Sequence, residues 1–280
     1  MILCSEHTGK YTYPLLCISE SLSLILWVED PSQIKYSSGV RRGKNDRVDA
    51  RMIARYAEIH RDKLRKYIPT DRQIHKLKEL ESQRELFVVD RAKYKAQLKD
   101  HKGFMHPDDY LDKNKRLVFL IESLDKVITQ IEEQIQRIIN SSPILTNQMQ
   151  LLTSIEGIGN KVALKVILES DCFSRFKNAR QFACHAGVAP FEYSSGSSIR
   201  SKRKVSHRAN KDLKTLLHLA ALAVIRKKDS DLKRYYVRKV EEGKSKMTVI
   251  NNIRAKLIAR MFGVIKNNTH YQTFYLNSLA

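Results

Sequence analysis

Three sets of residues in this sequence have types and spacings that suit chemistry on a phosphate. The first is YSSGSSIRSKRK (193–204), where four serines surround one glycine and four bases follow within five positions. Stretches rich in Ser and Gly are usually slack linkers. Here the bases run on through IRSKRKVSHRANK (199–211), which carries Arg200, Lys202, Arg203, Lys204, Arg208 and Lys211 and no acid. A phosphate held by those bases could lie beside a serine oxygen. A serine hydroxyl is a weak nucleophile unaided; it needs a base, or cations that take up the charge developing on the phosphoryl group. Transesterification onto serine conserves phosphodiester energy and needs no ATP, in keeping with the lack of any G-x4-G-K-[ST] phosphate loop in the sequence.

The second set is IEGIGNKVALKVI (155–167), which has the form of a helix-hairpin-helix. Gly157 and Gly159 permit a tight turn and close backbone approach, so that N–H groups at the start of the next helix could face a phosphate, with Lys161 adding a point charge. Such hairpins grip a nucleic-acid backbone without reading sequence; a plain helix–helix turn with glycine caps is the other reading. The third set is acidic. Asp46 and Asp49, in KNDRVDA, stand at i, i+3 on one helix face. Neighbouring carboxylates repel unless a cation lies between them, and an all-oxygen set suits Mg2+ or Mn2+. Spacing alone favours solvated helix-face aspartates over a metal site. Glu6 ends a strand that reads as buried, an awkward place for a charge without a partner.

The elements that must position these residues follow from periodicity. Residues 1–28 read as strand, short helix, strand (MILCSE, YTYPLLCISES, LSLILWVED), an α/β pattern. A basic, Gly-containing loop (35–44) leads to a helix opening at Asn45 or Asp46, either of which suits the N-cap. From Thr70 to Asp100 the composition is that of a long charged helix, broken at HKGFMHPDD, with a second long helix running to about Asn140. In the second helix Leu117, Ile121, Leu124, Ile128, Ile131, Ile135 and Ile138 alternate spacings of four and three. That is a heptad seam, and the pair reads as an antiparallel coiled-coil hairpin or, alternatively, as part of an ordinary bundle core. After SSP (141–143) helices are expected through 145–155, 161–170 and around 177–186, then near 210–227, 230–242 and 245–266. The expected divisions are 1–68, 69–142 and 143–280.

Bulk composition narrows the partners. Against 30 acids stand 51 Lys and Arg, a net charge of +21 over 280 residues. Such an excess points to nucleic acid as a partner. No apolar run approaches the ~18 residues that a membrane span needs. Cys4, Cys17, Cys172 and Cys184 form no CxxC pair or zinc-type spacing and read as reduced, partly buried thiols of a cytosolic protein.

Together, CSEHTGKYTYPLL (4–16), RRGKNDRVDARMIARYA (41–57) and the stretch from LLTSIEGIGNK to PFEYSSGSS (151–198) resemble bacterial insertion-sequence transposases of the DEDD type, recombinases guided by a structured RNA. The likeness runs over nearly the whole chain. It implies a partial RNase H-like (RuvC-like) α/β domain, a coiled-coil hairpin, and a mostly helical transposase domain with a helix-hairpin-helix. On this resemblance Glu6, Asp46 and Asp49 are metal-binding acids for Mg2+ or Mn2+, and Ser195, just before Gly196, is the nucleophile that forms a phosphoserine intermediate. Partners implied are the DNA of element ends and target, a guide RNA and further copies of the chain, in a bacterial cytoplasm at the nucleoid. The departures are an expected first acid and its strands, which would precede Met1, Glu156 where the family has Pro, and Ala209 where it has Gly. They imply an N-terminally incomplete chain, and a non-catalytic nucleic-acid-binding relic as the alternative.

Overall fold

The computed structural model describes residues 1–37, 39, 45–100, 103–190, 194, 195, 199, 200, 205, 206 and 209–272. The chain divides into two compact units, Met1–Asp71 and Arg72–Ala280.

In the first unit β1 (Ile2–Glu6) and β2 (Ile25–Glu29) pair in parallel, Ile2 opposite Ile25 and Glu6 opposite Glu29, with α1 (Thr12–Ser21) as the crossover. Parallel strands require such a crossover, which is why the strand–helix–strand reading of the sequence holds. Trp27, Ile34 and Tyr56 are the buried centre, flanked by Cys4, Ile53, Ala57 and Leu64. One segment departs from expectation. Residues 35–37, read as the start of a loop, complete a short helix, α2 (Pro31–Ser37). The cause is local: Asp30 Oδ1 accepts from Ser32 N at 2.8 Å, and Pro31 fits the first helical turn. The helix read from Asn45 is α3 (Asp46–Ile59), with Asn45 as N-cap accepting from Val48 N.

The second unit is helical. Its long helices α4 (Arg72–Asp100) and α5 (Pro107–Ser141) lie antiparallel, as the cross-links Arg84–Glu132, Arg91–Asp125 and Tyr110 Oη to Leu98 O require. Along α5, Leu117, Ile121, Ile128, Ile131 and Ile135 are buried as the heptad reading expects, whereas Leu124 is only half-buried; at the C-terminal end Ile139, not Ile138, is buried. A straight helix drifts about 20° per heptad against a 3.5-residue repeat, so the inward position slips by one residue. At the base of the hairpin Ile74, Leu77, Leu80, Ile131, Ile135 and Ile139 merge with the core of the remaining helices. Those helices are α6 (Pro143–Thr153), α7 (Asn160–Ser170), α8 (Ala179–His185), α9 (Lys211–Arg226), α10 (Asp231–Glu241) and α11 (Lys246–Asn267). Central to them is α11, burying Val249, Ile253, Leu257, Ile258 and Met261. Between α8 and α9 lies a two-residue ribbon, β3 (Ser194–Ser195) antiparallel to β4 (Ile199–Arg200). No described helix is long and apolar enough to cross a membrane.

Candidate functional site

The serine stretch is a segment strung between α8 and α9. Ser195, expected in a loop, belongs to β3 and faces Ile199 in register, while Ser194 faces Arg200. The segment's two feet are fixed together. Asn210 is the N-cap of α9, its side chain accepting from Leu213 N, and its backbone N donates to His185 O at 2.9 Å. On α11, Asn251 Nδ2 donates to Val188 O at 2.8 Å. Gly187 has φ +65, and a Cβ there would stand 2.6 Å from Ala209 Cβ, so glycine is what lets the two feet touch.

A polar pair braces the same place. His185 Nε2 lies 3.1 Å from Glu169 Oε2, and Lys165 is 4.0 Å from the other oxygen. Burial pushes the Glu169 carboxyl up, but bonds from His185 and Asn210 and the charge of Lys165 outweigh it, leaving its pKa below the ordinary value. Lys165 also reaches Glu85 of α4 at 3.2 Å. Nothing local in the sequence marks this cluster, because its members come from α4, α7, α8 and the cap of α9.

The glycine hairpin connects α6 to α7. Gly157 has φ +83, and a Cβ would lie 2.1 Å from Val224 Cγ2 and 2.9 Å from Ala220 O. Its close approach is therefore to α9 of the same chain. Gly159 is the N-cap of α7, exposed and with open space about it, and Lys161 is exposed in the first turn. Burial raises the pKa of Glu81 on α4, opposed by the charges of Arg84, Lys165 and, least, Lys161. Lys211, the first residue of α9, is exposed. Arg200 lies in β4; Lys202, Arg203, Lys204 and Arg208 lie outside the described residues.

The acids sit in the other unit. Asp46 and Asp49 occupy the first turn of α3, Asp46 exposed and Asp49 half-buried. Glu6 ends β1 and borders a cleft whose walls include Cys4, Ala50, Ile53 and Ala57, but neither aspartate. Among the described residues no three of His, Cys, Asp and Glu converge as a metal site, so Glu6, Asp46 and Asp49 do not fit one as they stand. The sequence reading passed over Glu29, the strand neighbour of Glu6. Its Oε2 accepts from Tyr56 Oη at 3.2 Å and Trp27 Nε1 at 3.3 Å, and its charge adds to the burial that pushes the Cys4 thiol up to about 11. The four cysteines are free thiols, Cys17 being exposed where partial burial was expected.

Comparison with known proteins gives matches along most of the chain. Residues 149–237 match the model of the Transposase IS116/IS110/IS902 family, and residues 1–107 match the model of IS110-type DEDD transposases. The pilin gene-inverting proteins of Moraxella bovis and Moraxella lacunata are each 29% identical over 232 residues, covering 83% of this chain and 69% of theirs. A 43.6 kDa protein of insertion element IS110 from Streptomyces coelicolor is 27% identical over 143 residues, 51% of this chain and 34% of its own. Ser195 lies within the first matched region, and Glu6, Asp46 and Asp49 within the second.

Proposed function

This chain belongs to the IS110/IS116/IS902 family of transposases, and we propose that it cleaves and rejoins DNA through Ser195. The observation that carries this reading is the position of Ser195: inside the family-matched region, on a segment whose feet are locked to α8, α9 and α11, and followed by a run of bases. In the reaction Ser195 Oγ attacks the scissile phosphorus. The Oγ–P bond forms as the bond to one deoxyribose oxygen breaks; the serine proton passes to a base and the departing oxygen takes up a proton. Reversal onto a different strand end completes a transfer without external energy, and neighbouring bases lower the barrier by stabilising the phosphorane-like charge.

Mg2+ or Mn2+ would supply charge neutralisation at the scissile phosphate, with Glu6, Asp46 and Asp49 as its ligands. These side chains do not form such a set in the isolated chain, and the role derived for this chain's own residues rests on its helical unit. A guide RNA and further copies of the chain are the partners that complete the proposal, the +21 charge serving both polyanions.

The ungathered acids favour a second reading, a relic that binds nucleic acid without cleaving it. Incubation with a nicked suicide substrate carrying the element's ends, guide RNA and Mg2+ separates the two. A covalent protein–DNA adduct lost in Ser195→Ala supports the nucleophile. Adduct persisting in that variant refutes it, and binding with no adduct from the parent chain establishes the relic.

A further inference from the structure

One edge of the sheet in the first unit is open. At the two ends of β1, Met1 O accepts from Ile25 N at 3.2 Å and His7 N donates to Glu29 O at 2.8 Å, so the odd-numbered residues bond toward β2. Alternate residues of a parallel strand turn N–H and C=O to the same neighbour, so Ile2, Cys4 and Glu6 turn theirs the other way. Among the described residues β1 has no second strand beside it, and no backbone bond meets those groups. All five residues of β1 line one cleft of about 690 Å³. A strand's edge can do that and its face cannot, because successive side chains point to opposite faces. Leu15 of α1 and Ala50, Ile53, Ala54 and Ala57 of α3 form the other walls. Edges of this kind are ordinarily blunted by Lys, Pro or a bulge, and ILCSE, in regular register with β2, has none of the three. Two strands also fall short of a self-sufficient sheet.

A row of free backbone groups calls for an extended strand, and their pattern matches β1 itself. Laid antiparallel about a two-fold axis at Cys4, two copies set Ile2 across from the partner's Glu6 and Cys4 across from the partner's Cys4. Opposed residues of this kind exchange both N–H···O bonds, so every free group of Ile2, Cys4 and Glu6 finds a partner. The axis, normal to the sheet, brings both copies of α3 to one face, where the small, exposed Ala50 and Ala54 leave room for close approach. Charge points the same way. The charged walls of the cleft are Glu6, Glu58 and Arg61, with acid in excess, which turns away a polyanion. Residues 1–71 carry 12 Lys and Arg against nine acids, only +3 of the chain's +21, so two copies meet through this unit with little repulsion.

We propose that the chain self-associates by pairing β1 antiparallel with β1 of a second copy, giving a continuous sheet ordered β2–β1–β1–β2. The contact does not rest on the Ser195 reading. The test follows amide exchange and sedimentation equilibrium of the full chain over a range of concentrations. It includes Ile2→Pro, which removes an N–H that β2 does not use, and Ala54→Glu, which puts a charge into the cleft from an exposed helix position. In the parent the amides of Cys4 and Glu6 should slow as concentration rises, while those of Leu3 and Ser5 stay protected throughout. Both variants should lose that slowing. Ala54→Glu, which leaves β1 untouched, carries the test if Ile2→Pro disturbs the strand. Cys4 and Glu6 amides that exchange alike at every concentration overturn the proposal, whatever the sedimentation result, and so does slowing that survives Ala54→Glu. Protection of this edge that appears only when duplex DNA is added assigns it to nucleic acid and also overturns the proposal. Ser195→Ala should behave as the parent does, so failure of the nucleophile and failure of this contact are read separately.

Discussion

Glu169 and His185, 3.1 Å apart, join α7 to α8 at the point where Asn210 brings the far foot of the serine segment back. The carboxyl is held below its ordinary pKa, so its contribution to stability is complete above the unfolded-state value and is lost as pH falls through the folded-state one. Denaturant midpoints measured from pH 7 down to pH 3 are expected to fall more steeply in the parent than in Glu169→Gln below about pH 4.5. Parallel acid limbs in the two proteins would show that the pair does not brace the fold.

Gly157 answers to Val224 rather than to a ligand. With φ +83 and a Cβ that would stand 2.1 Å from Val224 Cγ2, Gly157→Ala combines backbone strain with overpacking. The expected loss is about 2–4 kcal/mol of unfolding free energy in chemical denaturation. Adding Val224→Ala removes the closest clash but neither the positive φ nor the 2.9 Å contact with Ala220 O, so rescue is partial. Full rescue would mean that the backbone strain counts for nothing.

The thiols are predicted to separate by reactivity. Cys4, pushed up to about 11 by burial and then by Glu29, is roughly one part in a thousand thiolate at pH 8, whereas Cys17 is exposed. Limited alkylation at pH 8 followed by peptide mapping should label Cys17 first and Cys4 last. Glu29→Gln should speed Cys4 labelling only modestly, because burial is the larger cause. Equal labelling of Cys4 and Cys17 in the parent would contradict the placement of Cys4 against β2.

What the sequence disclosed is what short-range signals encode. Asn45 capping α3, the break before Pro107 and the seam from Leu117 to Ile135 all follow from neighbours within a turn or a heptad. The short helix after Pro31 has a local signal too, Asp30 before Pro31, but the basic, Gly-containing run beyond it carries the composition of a loop. The candidate site divides along the same line. The serine and its bases are legible as composition, but the brace beneath them is assembled from helices far apart in sequence. The Glu169–His185 pair is the clearest case, since its members meet only where α7 packs beside α8 and the cap of α9.

Arg84 is a buried arginine answered by two acids. Its Nη1 lies 3.2 Å from Glu81 Oε1 and its Nε 2.7 Å from Glu132 Oε1, with Arg84 and Glu81 both buried between α4 and α5. Arg84→Ala strands the Glu81 carboxylate, at an expected cost on the order of 3–5 kcal/mol at pH 7. Burial already raises the Glu81 pKa, with Arg84 opposing. A raised carboxyl contributes stability below its unfolded-state pKa and loses it as pH rises through the folded-state value. Without Arg84 that window widens upward, so the penalty should shrink when denaturation is repeated near pH 4, where Glu81 is neutral. Replacing both, Arg84→Met with Glu81→Met, should restore most of the loss, because an apolar pair of similar volume leaves no charge stranded. A double variant as unstable as Arg84→Ala at pH 7 would show that packing of the arginine stem, and not the stranded charge, sets the cost.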